Sequence, residues 1–259
     1  KALGYAVASI DGDEITSAQV VNPMSALQGK VSGVDISTAP GPGATQNVII
    51  RGASSFGNNQ PLYIVDGSPL TNSQTRSGSD LNNQVDFGSG INAINPHDIE
   101  NLTVLKGAAA TALYGSRAAN GVVMITTKKG KNSALSISFN NSYGVTRVGR
   151  LPDVQSQFGQ GWSGDRALDE NGNWGAAYDG IDRVWGRVIN NSQQIKPYVF
   201  LDGTVRDFYE YGENIQNSLS FSGGSETGNY FLSLSQASID GVIPTDNDSY
   251  NRYTVATRG

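Results

Sequence analysis

The chain has no cysteine in 259 residues, which excludes disulfides and thiolate metal sites. It has one histidine, His97, and an acid–base role for it would need partners that the sequence does not place. Charged residues make up 16%, with a net charge of -5. That balance argues against a nucleic-acid binder, since the densest basic cluster, Lys128, Lys129 and Lys131, reads as a solvated strand end. No segment reaches the roughly 18 consecutive apolar residues of a membrane helix, and no signal peptide opens the chain. The start at Lys1 is therefore expected to be a processed or truncated end. No G-x-S-x-G elbow is present, and GKVS at 29–32 lacks the earlier glycine of a phosphate loop.

What is abundant is glycine, 32 residues of it, together with Ser, Asn and Tyr. The apolar pieces between the turns are too periodic for disorder, so the composition predicts β-structure with many turns. A barrel needs only every second residue apolar, so 37% hydrophobic is compatible with membrane strands.

Residues 94–130 organise the first half. Asn95 and Pro96 predict a helix start, because Asn caps the first free N–H groups and Pro lacks one. A strand through Leu102, Val104 and Leu105 follows and stops at Lys106. AAATALY then predicts a close-packing helix closed by Gly115, and VVMITTKK predicts a strand covered on both faces. Asn22 and Pro23 repeat the cap signal, with Met24, Leu27 and Val31 on one helical face and Gly33 as the stop. Between the two units, VDIS, NVIIRG and PLYIVDG read as strands, the last two enclosed. The expectation is a compact α+β domain over residues 1–131.

From Asn132 the pattern changes. Leu135, Ile137, Phe139, Tyr143 and Val145 occupy one parity, and Ser136, Ser138, Asn140, Ser142, Gly144 and Thr146 the other. The same alternation returns in NIQNSLSFSGG, in NYFLSLSQAS and more weakly in YNRYTVATRG. Strands of about 9–11 residues with one greasy face are what a transmembrane barrel requires. A water-soluble sandwich gives the same alternation with strands usually nearer ~5–6 residues. Residues 132–259 thus read as the start of a barrel, with a long loop, 148–211, on the outer side. Four strands cannot close a barrel in lipid, so the chain is expected to be the amino-terminal part of a longer protein.

Few residues invite a chemical reading. His97 follows Pro96 and reads as structural. The acidic runs at 169–173 and 246–248 alternate oxygen ligands as calcium loops do, but Trp174 stands where an EF-hand needs Gly, so no metal is assigned. All three tryptophans, Trp162, Trp174 and Trp185, lie in the long loop with Phe158 and Tyr178 nearby. Aromatic faces stack on sugars, and Asp165, Asp179 and Asp182 are able to accept hydroxyl protons. The alternative is that these rings pack the loop on itself. As a group, Trp162, Trp174, Tyr178 and Trp185 are the candidate ligand- or partner-facing surface.

The stretch 94–131, with NVIIRG (47–52) and PLYIVDG (61–67), resembles the plug domain of the SusC/RagA family of TonB-linked outer-membrane transporters. FGQGW (158–162), VRDF (205–208) and IDGVIP (239–244) resemble that family's early barrel and loops. The resemblance implies an α+β plug domain followed by the first antiparallel strands of a transmembrane β-barrel. It places Arg51, Gly52, Asp66, Gly67, Lys106, Tyr114, Gly115, Arg117, Asn120 and Gly121 in the plug motif, with a structural role. Arg51 and Arg117 are its charged members; an arginine buried in a barrel lumen should be paired, and their expected role is to hold the plug together and against the wall. It further implies a non-enzymatic importer of oligosaccharides or peptides in the bacterial outer membrane, with the plug in the barrel lumen and no cofactor. Its partners would be a SusD-like surface lipoprotein, outer-membrane lipid, and TonB acting through a segment upstream of Lys1. A structural subunit of an envelope complex without import is the alternative.

Overall fold

The computed structural model describes residues 7–39, 41–53, 56–79 and 82–259. It divides into one unit of residues 1–146 with 211–259, and a second of residues 147–210.

The first unit opens with β1 (Val7–Asp11) and α1 (Gly12–Ser17), followed by a 3-10 turn at Pro23–Leu27. Next come β2 (Val34–Thr38), β3 (Gln46–Ile50), β4 (Leu62–Val65), β5 (Ser68–Leu70), β6 (Arg76–Ser79) and β7 (Asn82–Asp86). After 3-10 turns at Gly90–Ala93 and Pro96–Asp98, β8 (Ile99–Leu105), α2 (Ala108–Tyr114) and β9 (Val122–Thr127) complete the α+β part. Its main sheet runs β1-β8-β9-β4-β5, with β4 parallel to β9 and the other pairs antiparallel. Ile99, Leu102 and Val104 on β8 and Val122, Val123 and Ile125 on β9 are buried, as strands covered on both faces require.

Several expectations need correction here. The helix expected at Asn95 is a single 3-10 turn. Asn95 does cap it, accepting from the His97 N–H at 3.2 Å, but the Asp98 carbonyl is taken by the Lys128 N–H at 2.8 Å. That bond across the sheet leads the chain straight into β8. The first Asn-Pro unit is likewise 3-10 and ends at Leu27, although Met24, Leu27 and Val31 are all buried. NVIIRG is not enclosed on both faces. Among the described residues it pairs only with β2, and Gln46, Val48 and Ile50 turn inward on one side. Strand β1, α1 and the β6–β7 hairpin had no expectation attached to them.

The rest of the unit is a second sheet, β10-β15-β16-β17. It comprises β10 (Ser136–Thr146, 11 residues), β15 (Gly212–Ser225, 14), β16 (Gly228–Asp240, 13) and β17 (Ser249–Arg258, 10), all antiparallel. One row across it runs Phe139, Leu219, Leu234, Val255, and a neighbouring row of the opposite parity runs Asn140, Ser218, Ser235, Thr254. Phe139 is 65% exposed and Val255 69%, whereas Ser218 and Ser233 are buried. The sheet is therefore inverted relative to a water-soluble one, with apolar side chains outward and polar ones such as Gln216, Ser218, Ser233 and Arg252 on β15 to β17 covered. The β15–β16 turn has two residues, Glu226 and Thr227, at one end. The connections 147–211 and 241–248 both lie at the other.

The second unit, read as loop, carries structure of its own. Strands β11 (Gly161–Trp162) and β12 (Asp165–Arg166) form one hairpin; β13 (Asp182–Ile189) and β14 (Ser192–Pro197) form another; α3 (Thr204–Asp207) is a single turn. Asn190 and Asn191, at φ 50° and 56°, make the two-residue turn between β13 and β14. Asn tolerates this left-handed conformation, which matches the twist of a tight hairpin.

Candidate functional site

The covered polar face of the second sheet meets the plug, and the seam between them is built from hydrogen bonds. Asp98 stands at its centre, 2% exposed. Ser233 of β16 donates to Asp98 Oδ2 at 2.7 Å, and Asn95 donates to Asp98 Oδ1 at 3.3 Å and to Ser218 of β15 at 3.2 Å. Burial pushes the Asp98 carboxyl above its ordinary range, against the opposing pull of Ser233 and the nearby cations Arg258 and Lys128. Burial and Lys128 together depress the neighbouring His97. His97 is thus neutral at pH 7 and structural in position, donating its backbone N–H to the Asn95 cap.

Arg252 of β17 is the buried cation of the seam. Its Nη1 donates to the carbonyls of Val21 at 3.0 Å, Asn92 at 2.8 Å and Ile94 at 3.4 Å, tying three points of the plug to one side chain. Gln216 donates to the Gln19 carbonyl at 3.2 Å, and Arg258 forms an ion pair with Asp66 at 3.9 Å. Gly130 packs so closely on β16 that an added Cβ would lie 2.3 Å from the Tyr230 nitrogen. Sequence reasoning did not single out Asp98, Ser233 or Arg252. The available signal for Arg252 was its parity, since it alternates with the outward Tyr253 and Val255.

The motif residues fall in several places. Asp66, at φ 47°, accepts from the Thr127 N–H at 2.9 Å and the Thr127 hydroxyl at 2.5 Å, closing the ends of β4 and β9 together. Gly67 at φ 85° completes that turn, and Gly52 at φ 85° follows Arg51 at φ 61°. Lys106 is 8% exposed and donates to the Ser32 carbonyl at 2.7 Å. Tyr114 directs its hydroxyl at Met124 Sδ, 3.8 Å away, and Gly115 ends α2 at φ 70°. Asn120 donates to the Asn58 carbonyl at 2.9 Å. Gly121 is buried at φ 98°, with Ile50 and the Leu105 carbonyl where a Cβ would stand. Arg51 and Arg117 are exposed in this chain. Among the described residues, Lys106 and Arg252 are buried cations, because their positions face neighbouring carbonyls.

In the second unit the four candidate rings separate. Tyr178 clusters with Tyr198 at 4.9 Å and Phe200 at 6.2 Å between ring centres, and Arg166 and Arg183 lie over Tyr198 at 5.5 and 5.6 Å. Lys196 sits 4.2 Å from the Trp185 ring. Tyr178 and Trp185 share the lining of a cavity of about 750 Å³ with Tyr198 and Phe200. Trp174 packs on Phe158 at 5.8 Å, and Trp162 covers Gly172; neither lines that cavity. Of the three carboxylates, Asp179 is taken by Arg183, whose hydrogen bond holds its carboxyl below the usual range, while Asp165 and Asp182 are exposed.

The model of the TonB-dependent receptor plug domain matches residues 1–122. TonB-dependent receptor SusC of Bacteroides thetaiotaomicron is 33% identical over 255 residues, 96% of this chain and 22% of that protein. TonB-dependent receptor P39 of Formosa agariphila is 33% identical over 251 residues, 96% of this chain and 21% of that protein. The chain thus spans about a fifth of the length of these relatives. Among solved structures, the RagAB peptide importer in its closed-closed state superposes with a TM-score of 0.68 at 27% identity, over 99% of this chain and 28% of that one. A second RagAB peptide transporter structure gives 0.67 at 28% identity, over 99% and 29%.

Proposed function

We propose, from the premise that this chain belongs to the SusC/RagA family of TonB-linked outer-membrane proteins as a plug domain and opening barrel strands, that it serves nutrient import. The cargo class is oligosaccharides or peptides, the lid a SusD-like surface lipoprotein, and the energy source TonB acting on a segment ahead of the plug. The observation that carries this reading is the inverted second sheet: Phe139 and Val255 lie open while Ser218, Ser233 and Arg252 are covered by the plug. A sheet that turns its polar face onto a folded plug suits a wall in lipid with the plug in its lumen. The plug's hold on the wall is by hydrogen bonds to Asp98, Asn95 and the carbonyls around Arg252, each of modest net worth: about 0.5–1.5 kcal/mol for the neutral Asn95–Ser218 pair and about 1.5–3 kcal/mol where a charged group takes part. Such a seam yields bond by bond to a pull on one end.

Deletion of the locus in the native host tests the reading. The expected outcome is loss of growth on one oligosaccharide or peptide mixture, the same loss when TonB is removed, and co-purification of a surface lipoprotein with a tagged chain. Unchanged uptake of every such mixture, with loss of an envelope complex instead, would replace it by the structural-subunit reading.

A further inference from the structure

At the end of the second sheet that carries the long connections, plug and sheet enclose a cleft of about 260 Å³. This lies below the ~300–1,000 Å³ of pockets that take drug-sized molecules, so it suits a small solute or one end of a longer ligand. Three residues that line it each carry a buried side-chain atom with no hydrogen-bond partner among the described residues: Arg252 Nε, Gln46 Oε1 and Asn214 Oδ1. They come from three separate strands, β17, β3 and β15. Arg252 is 9% exposed and Gln46 4%. Neither is free to turn away, since Arg252 Nη1 holds the plug carbonyls and Gln46 Nε2 donates to Ser25. Buried polar atoms are rarely left unmatched, and three on the residues around one cleft ask for a ligand-side explanation.

The chemistry of the lining narrows that ligand. No carboxylate lines the cleft among the described residues; the carboxylate near the guanidinium is Asp98, which lies inside the seam and not in the cleft lining. The side walls are the Tyr250 ring and Ile239, and the ring lies flush against Gly43, where an added Cβ would stand 2.2 Å from it. We infer that this cleft binds a carboxylate flanked by N–H or O–H donors. Arg252 Nε–H donates to the carboxylate, and Gln46 Oε1 and Asn214 Oδ1 accept from the flanking donors. The carboxy-terminal residue of a short peptide and an acidic sugar both offer that arrangement. Binding here is an equilibrium property of the seam and does not depend on whether the protein imports anything.

The test is calorimetric titration of the detergent-purified native protein with glycylglycine, glycylglycinamide, galacturonate and galactose. An acid is expected to bind at least about tenfold more tightly than its neutral counterpart, and whichever acid does so names the source. Gln46→Leu and Asn214→Leu are each expected to weaken it by about tenfold, Asn214→Leu at an unchanged melting temperature and Gln46→Leu at a lower one because it also loses the bond to Ser25, since each removes one acceptor while leaving the Arg252 contacts to the plug. Should Gln46→Leu fail to fold, Asn214→Leu decides alone. Equal binding of acid and neutral probes, absence of binding by either acid at its solubility limit, or binding that survives both folded variants overturns the inference.

Discussion

Ser233 of β16 donates its hydroxyl to the Asp98 carboxylate at 2.7 Å, joining the second sheet to the plug through a residue 2% exposed. Because burial raises the Asp98 pKa above its ordinary 3.8, the folded seam takes up a proton more readily than the unfolded chain does. The stability this contributes is full below 3.8 and is lost as pH rises through the raised value. Asp98→Asn mimics the protonated carboxyl, so its melting temperature is expected to lack that fall with rising pH. His97 runs the other way. Depressed below 6.5, it contributes stability above that value that is lost as the pH drops, and His97→Gln removes the loss. Melting of both variants and the parent from pH 4 to 7 separates the two, with Lys128, Arg252 and Arg258 as the fixed charges around them. Parallel profiles for Asp98→Asn and the parent would count against the assignment.

Much of this architecture was legible in the sequence, and the reason is period. Alternation through Leu135 to Val145 marks an outward face whatever the strand pairs with, and the structure leaves Ile137, Phe139 and Val145 open. The successive apolar residues of VVMITT mark a strand covered on both sides, and β9 lies between β8 and β4. What failed was local grammar overridden by tertiary bonds. An Asn-Pro cap announces a turn of helix, yet not that Lys128 will take the Asp98 carbonyl and divert the chain into a strand. The seam was illegible for a similar reason. Asp98, Ser233 and Arg252 are far apart in sequence, and nothing local distinguishes a serine that meets a plug from one that meets water. Arginines in a motif were therefore favoured over the arginine at an inward parity.

Gly121 supplies a second test, because its demand is both conformational and steric. At φ 98° an L side chain is strained, and a Cβ there would stand 2.8 Å from Ile50 Cδ1 and 3.1 Å from the Leu105 carbonyl. Gly121→Ala is expected to destabilise the plug by about 2–4 kcal/mol, strain and overpacking together. Ile50→Val alone removes the clashing methyl and costs about 0.5–1.5 kcal/mol as an ordinary core deletion. Combined, the two are expected to be less harmful than their sum, since the smaller side chain relieves part of the clash. Denaturant titrations of the three variants form the cycle, and strict additivity would show that Ile50 is not what the alanine meets.

The inverted sheet makes the sharpest demand of the three. Leu234 lies mid-strand on the outward face, between Leu219 and Val255, while Tyr230 lies on the same face near the two-residue turn. If that face meets hydrocarbon, the cost of a charge depends on depth: an arginine costs about 2–4 kcal/mol at the midplane and falls to about 0–1 near the interface, where it reaches the headgroups. Leu234→Arg is therefore expected to destabilise the protein strongly in phosphatidylcholine bilayers, and Tyr230→Arg hardly at all. If instead the face packed on another sheet in water, both would insert a charge into an apolar contact and no gradient along the strand would appear. Unfolding free energies of the two variants in vesicles distinguish the cases, because burial by protein and burial by lipid differ in how the cost varies with position and not merely in its size.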